Sequence, residues 1–192
     1  EKMDFGDICI SIKASDVPLT VRAYRMLAEQ SDYPLHLGVT ETGTSYMGLV
    51  KSAAGIGALL LDGIGDTLRV SLTAAPEEEI KAGIAILKAV GLRSDGVNIV
   101  SCPTCGRTQI DLVRLATEVE QRLSGCDRAI TVAVMGCVVN GPGEARDADI
   151  ALCGGKDCGA LYIKGRFVRK LTGDLGDEFV GAVREYLQSN AV

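Results

Sequence analysis

In the first half of the chain, a short run of alternating apolar residues is followed three times by a stretch with helical spacing. This repeat constrains the fold more than any other feature of the sequence. Residues 8–13 set Ile8, Ile10 and Ile12 on one face against Cys9, Ser11 and Lys13 on the other. Asp16 is placed to cap a helix over 17–29, with Val21, Tyr24, Leu27 and Ala28 at helical spacing. Residues 35–40 alternate Leu35, Leu37 and Val39 with His36, Gly38 and Thr40, ahead of an apolar helix over 47–61. Residues 67–72 oppose Leu68, Val70 and Leu72 to Arg69 and Ser71. The next helix starts at Pro76, with Glu77, Glu78 and Glu79 suited to the positive end of its dipole. Its expected buried stripe is Ile80, Ile84 and Leu87, and Gly91 is placed to end it. Strands alternating with helices imply parallel strands in an α/β fold.

Parallel strands are usually apolar on both faces, yet one face of each of these three is polar. A β/α barrel reconciles this, with apolar faces against the helices and polar faces lining an interior site. Lys13, Glu41, Arg69 and Ser71 lie at or just beyond the C-terminal strand ends, where barrel sites form. A half-exposed sheet with solvated polar residues explains the alternation equally well. Three units cannot close an eight-stranded barrel, so the remaining strands are expected before Glu1, and the chain is expected to be a fragment or processed. Segment 6–13 then reads as a buried strand with no N-terminal partner.

Composition narrows the classes. With 47% hydrophobic residues a packed core is expected, and 23 glycines with only 4% aromatics favour α/β layers over an aromatic sandwich. A net charge of −5 without a basic block makes nucleic acid a poor partner. No apolar run reaches membrane-spanning length and no signal peptide is visible, which leads to an expected cytoplasmic location. The seven cysteines are an odd number in a chain without a secretory signal, which favours metal or redox chemistry over disulfides.

Residues 98–100 begin a strand that runs into Cys102-Pro-Thr-Cys105-Gly-Arg107. An amphipathic helix over 109–123 leads to a second apolar strand, 130–135, which delivers Gly136-Cys137-Val-Val-Asn140-Gly-Pro-Gly-Glu144. Two cysteine loops, each at the end of a strand and one helix apart, are a compact way to bring three thiolates together. Segments 161–163 and 167–168 suggest a hairpin around Gly165, and Phe179, Ala182, Val183, Tyr186 and Leu187 a closing helix. A division into domains 1–92 and 93–192 is expected. Alone, Cys-x-x-Cys also fits zinc or a redox pair. Zinc would draw a fourth ligand from Cys126, Cys153 or Cys158, because the single histidine, His36, lies in the other half. Cys9 and Cys126 read as buried thiols.

The paired motifs Cys102-Pro-Thr-Cys105-Gly-Arg107 and Met135-Gly-Cys137-Val-Val-Asn140-Gly-Pro-Gly-Glu144 resemble the signature of the hydroxymethylbutenyl diphosphate synthases of the methylerythritol phosphate pathway of isoprenoid biosynthesis. The resemblance extends upstream through Ser11-Ile-Lys13, Pro34-Leu-His36, Thr40-Glu41, Gly63-Ile-Gly65-Asp66-Thr67 and Arg69-Val-Ser71, and fades after about Gly155. It implies the last three βα units of a TIM barrel followed by a small ferredoxin-like α/β iron–sulfur domain. It implies a [4Fe–4S] cluster on Cys102, Cys105, Cys137 and Glu144. Thr42 stands where the family commonly has Ala, and Cys153 and Cys158 are extra thiols; neither departure touches the ligand pattern.

The resemblance further implies an oxidoreductase that opens methylerythritol cyclodiphosphate reductively to hydroxymethylbutenyl diphosphate. Two electrons enter and a hydroxyl leaves as water, chemistry that suits a one-electron carrier with a Lewis-acidic iron. Glu144, a weaker ligand than a thiolate, can yield its position to substrate. Lys13, Arg69 and Ser71 are the candidate diphosphate contacts, and Glu41 a candidate proton donor or charge stabiliser. A homodimer in which each cluster domain covers the partner's barrel mouth, and ferredoxin or flavodoxin as electron donor, are implied by the same likeness. The chain alone, with three of eight barrel units, is expected to be inactive and to self-associate through its first strand. An electron-transfer module and a zinc-stabilised structural domain are the competing readings.

Overall fold

The computed structural model describes residues 4–189 and splits after Ser94 into two compact units.

In the first unit, α1 (Val17–Ala28), α2 (Ser45–Leu61) and α3 (Pro76–Ala89) alternate with the short parallel strands β1 (His36–Leu37) and β2 (Thr67–Leu68). Asp16 caps α1 through a bond from the Leu19 N–H. Regular pairing is brief because side chains take over the backbone groups. The buried Tyr24 hydroxyl accepts from the Ile12 N–H at 3.0 Å and donates to the His36 carbonyl at 2.6 Å. The Asp66 carboxylate accepts from the Leu35 N–H and that of Glu79 from the Leu72 N–H, both at 2.8 Å. The core collects Tyr24, Leu35, Leu37, Ile56, Leu59, Val70, Ala82 and Ile86.

Two expectations are corrected here. Segment 6–13 is not a buried strand: only Ile10 is bridged, to Leu35, and its hydrogen bonds run to that side alone. Its other edge has no ladder partner among the described residues, which leaves Ile8 and Ile12 each 36% exposed. The buried stripe of α3 is Ala82, Gly83 and Ile86, whereas Ile80 is 65% exposed. A Cβ on Gly83 would stand 3.2 Å from Leu68, so the helix turns its smallest residues to the sheet for close approach. Ile84 and Leu87 are left half-buried on an open groove beside Leu68 and Val70.

The second unit holds a five-stranded sheet of β3 (Val97–Ser101), β4 (Ile130–Met135), β5 (Ile150–Gly155), β6 (Cys158–Ile163) and β7 (Arg166–Leu171). The strands lie side by side in chain order, the first three parallel and the last three antiparallel. A ferredoxin-like sheet, built on a β-α-β-β-α-β alternation, is not what these strands form. The cause is β5, which follows β4 in parallel through the segment 136–149 that carries a four-residue helix, and after which the chain turns back in two successive hairpins. The β6–β7 turn places Lys164 and Gly165 at φ 48 and 72, a left-handed pair that suits a tight hairpin. Helices α4 (Leu112–Leu123) and α6 (Leu175–Ser189) pack on one sheet face against Val132, Val134, Ile150, Leu152, Leu161 and Leu171. The four-residue helix α5 (Gly141–Glu144) lies on the other, where Met135, Ala145, Ala148 and Cys153 close a smaller core. Among the described residues no helix is long and apolar enough to cross a membrane.

Candidate functional site

Parallel register brings the two cysteine loops together. Ser101 at the end of β3 pairs with Val134, one residue before the end of β4. The chains leave the sheet side by side, Cys102 from one strand and Gly136-Cys137 from the other. Gly136 joins them twice: its N–H donates to the Cys102 sulfur at 3.3 Å, and its carbonyl accepts from the Gln109 N–H at 2.9 Å. A Cβ here would stand 2.9–3.0 Å from the Thr108 side chain, so the approach requires glycine. Cys105 lies on the exposed turn between. It is held to Thr108 by a reciprocal pair, Cys105 N–H to Thr108 Oγ1 at 3.2 Å and Thr108 N–H to the Cys105 carbonyl at 3.0 Å.

Cys137 is buried where the chain turns into α5. The backbone N–H groups of Asn140 and Gly141, aided by Val139, hold its thiol below the ordinary range, against burial and the negative charge of Glu144. Glu144 closes α5 and is exposed. Cys153, on β5 opposite Met135, is fully buried beneath Gly141. Burial, then the charges of Cys137, Cys102 and Glu144, push its thiol up to about 12, so it stays protonated. This donor set suits an iron–sulfur group: soft sulfurs, two of them, Cys102 and Cys137, accepting backbone N–H bonds, with one carboxylate on the same loop. A single zinc ion needs its donors drawn much closer. Among the described residues no three of these cysteines and Glu144 have donor atoms within 4.8 Å of one another. Cys153 and Cys158 sit opposite Ala160 and Gly155 on the β5–β6 hairpin. Glu118, Asp174 and Asp177 do meet that distance, but Glu118 and Asp177 are already engaged by Arg122, each at 2.9 Å. Of the two thiols expected to be buried, Cys9 is exposed and Cys126 half-buried.

In the first unit, Lys13, His36 and Arg69 share one neighbourhood. Burial and then the Arg69 charge lower the Lys13 pKa. Burial, then Lys13 and Arg69, lower that of His36. Three mutually repelling groups of this kind are poised to receive an anion. The Lys13 side chain runs over Gly38, where a Cβ would stand 2.9 Å from its Cε. His36 Nδ1 bonds Thr67 Oγ1 at 2.8 Å. Glu41 is exposed and adopts a left-handed backbone at φ 52, uncommon outside glycine. The next residue, Thr42, turns inward, is 2% exposed and donates its hydroxyl to the Ser71 carbonyl, tying the Glu41 loop to the Ser71 segment. Ser71 is half-buried and Arg69 exposed. Sequence reasoning missed Gly136, Thr108, Thr42 and Tyr24 as supports of these sites. For Gly136 a signal was present, since glycine between a strand and a ligand cysteine marks close backbone approach.

The family model for the GcpE TIM-barrel domain matches residues 1–84, and that for the GcpE protein C-terminal domain matches residues 98–185. Relatives named 4-hydroxy-3-methylbut-2-en-1-yl diphosphate synthase (flavodoxin) align along the chain. The one from Geobacter sulfurreducens is 57% identical over 97% of this chain and 53% of its own length. That from Symbiobacterium thermophilum is 57% identical over 100% and 51%, and that from Clostridium tetani 60% over 88% and 49%. The chain spans about half the length of the curated relatives it matches.

Proposed function

Because the chain belongs to the GcpE family, the 4-hydroxy-3-methylbut-2-en-1-yl diphosphate synthases, we propose that it supplies part of an iron–sulfur oxidoreductase of isoprenoid biosynthesis. The reaction is reductive ring opening of 2-C-methyl-D-erythritol 2,4-cyclodiphosphate to 4-hydroxy-3-methylbut-2-enyl diphosphate. The observation that carries this reading is the pair of hydrogen bonds between Gly136 and the first cysteine loop, which registers Cys102 and Cys137 on adjacent strand ends. Cys102, Cys105, Cys137 and Glu144 would hold a [4Fe–4S] cluster, which when bound supplies single electrons and a Lewis-acidic iron. Residues 93–192 form the cluster domain, and residues 1–92 the last three βα units of a TIM barrel.

Lys13 and Arg69 bind the diphosphate by charge, and Ser71 donates a hydroxyl hydrogen bond to it. Glu41, exposed on its left-handed turn, holds or gives the proton needed as the hydroxyl departs as water. Burial, and after it the charges of Lys13 and Arg69, lower the His36 pKa, and an arriving anion raises its affinity for a proton. A flavodoxin-type donor, a homodimeric assembly and a cytoplasmic site complete the proposal. The test is a hybrid enzyme that joins the first half of the Geobacter relative to this chain, assayed anaerobically with reduced flavodoxin. Conversion of the cyclodiphosphate by the hybrid, and none by its Cys137→Ser variant, is expected. A hybrid that loads iron and leaves the substrate unchanged would contradict the reading.

A further inference from the structure

We infer that Thr108 is the positioning residue for Cys105, an inference that rests on the cluster reading above. The two cysteines of the first loop are fixed by different means. Cys102 follows directly from β3, is half-buried and has its sulfur bonded by the Gly136 N–H. Cys105 has none of these supports: it is exposed, as are Pro103, Thr104, Gly106 and Arg107 around it. Its placement comes from Thr108. The Thr108 hydroxyl oxygen accepts the Cys105 N–H, and the Thr108 N–H donates back to the Cys105 carbonyl. This closes the turn on both sides of Cys105.

Thr108 is itself anchored on the other cysteine loop. Its side chain lies against Gly136, whose missing Cβ would stand 2.9 Å from Thr108 Cγ2 and 3.0 Å from Oγ1. The next residue, Gln109, donates its N–H to the Gly136 carbonyl. Position therefore passes from the end of β4 through Gly136 to Thr108, and from Thr108 to Cys105. The residue that registers the exposed cysteine is in this way tied to the one preceding Cys137. Thr108 touches no metal in this scheme; it holds the backbone that carries a ligand. The hydroxyl gives the Cys105 N–H a fixed protein acceptor in place of water, and the side chain also packs against Gly136.

The experiment uses the 192-residue chain, loaded anaerobically with iron and sulfide, as wild type, Thr108→Val, Thr108→Ser and Thr108→Ala. Iron release to an excess of chelator is followed by absorbance, and the thermal midpoint of each unloaded protein is measured alongside. Thr108→Val keeps the shape and removes the acceptor, so iron release is expected about fivefold faster, the effect of one lost hydrogen bond. Thr108→Ser, which keeps the acceptor, restores slow release. Thr108→Ala behaves as Thr108→Val and serves if the valine variant does not fold. Variants that shift the unloaded midpoint while iron leaves at the wild-type rate would overturn the assignment and reduce Thr108 to a turn residue. Equal acceleration in the Ser and Val variants would overturn it as well. Failure of the wild type to load iron defeats the cluster reading itself, and the Thr108 role with it.

Discussion

The Gly136 N–H points at the Cys102 sulfur from 3.3 Å, across the gap between two parallel strand ends. That bond makes one site of two sequence motifs more than thirty residues apart. It also makes the backbone of the second motif part of the candidate site.

Gly136→Ala is expected to open this contact. The new Cβ would meet Thr108 and Leu112 within 2.9–3.3 Å. Overpacking of this kind costs about 1–3 kcal/mol. Denaturant melts of the unloaded variant should show the loss, and its iron uptake should fall sharply. A variant as stable and as iron-loaded as wild type would remove Gly136 from the account.

Cys102→Ser, Cys105→Ser and Cys137→Ser should each abolish stable cluster binding. Cys153→Ala and Cys158→Ser should retain it, since Cys153 is buried and held as a thiol. Iron and sulfide assays on the five variants decide this. Loss of the cluster in the Cys153 or Cys158 variant would mean that the ligand set is wrong.

His36 gives a pH test free of other histidines, because it is the only one in the chain. Its folded pKa is lowered, so between that value and about 6.5 the unfolded chain binds more protons. The stabilising contribution is therefore full above about pH 6.5 and is lost as pH falls below it. His36→Gln should flatten the stability profile of the first unit between neutral and mildly acidic pH. A profile of the same slope in both proteins would exclude His36 as its source.

Arg69→Ala, made in the hybrid enzyme, should weaken cyclodiphosphate binding without changing iron content. Arg69 is exposed, so the loss is that of a charge-assisted hydrogen bond, about 1.5–3 kcal/mol. An unchanged Michaelis constant and turnover would take Arg69 out of the site.

Much of this was legible in the sequence where the pattern is local. The cap at Asp16, the helix start at Pro76, the strand over 130–135 and the order of the cysteine loops all follow from spacing and end signals. What was hidden depends on partners distant in sequence. The face of α3 is set by how closely Gly83 approaches Leu68, which periodicity around Ile80 does not report. Strand β5 was missed because its sequence, Ile-Ala-Leu-Cys-Gly-Gly, is buried on both faces and shows no alternation. The ferredoxin-like expectation failed with it, for that strand decides the sheet order. Thr108 and Thr42 were unreadable as supports because a hydroxyl announces nothing about its acceptor or donor until the chain has folded.

The central claim is that Cys102, Cys105, Cys137 and Glu144 hold a four-iron cluster, and metal analysis of the chain after anaerobic reconstitution tests it most directly. The account predicts about four irons and four sulfides per chain, with none retained by Cys137→Ser. Stoichiometric zinc with no uptake of iron would contradict it.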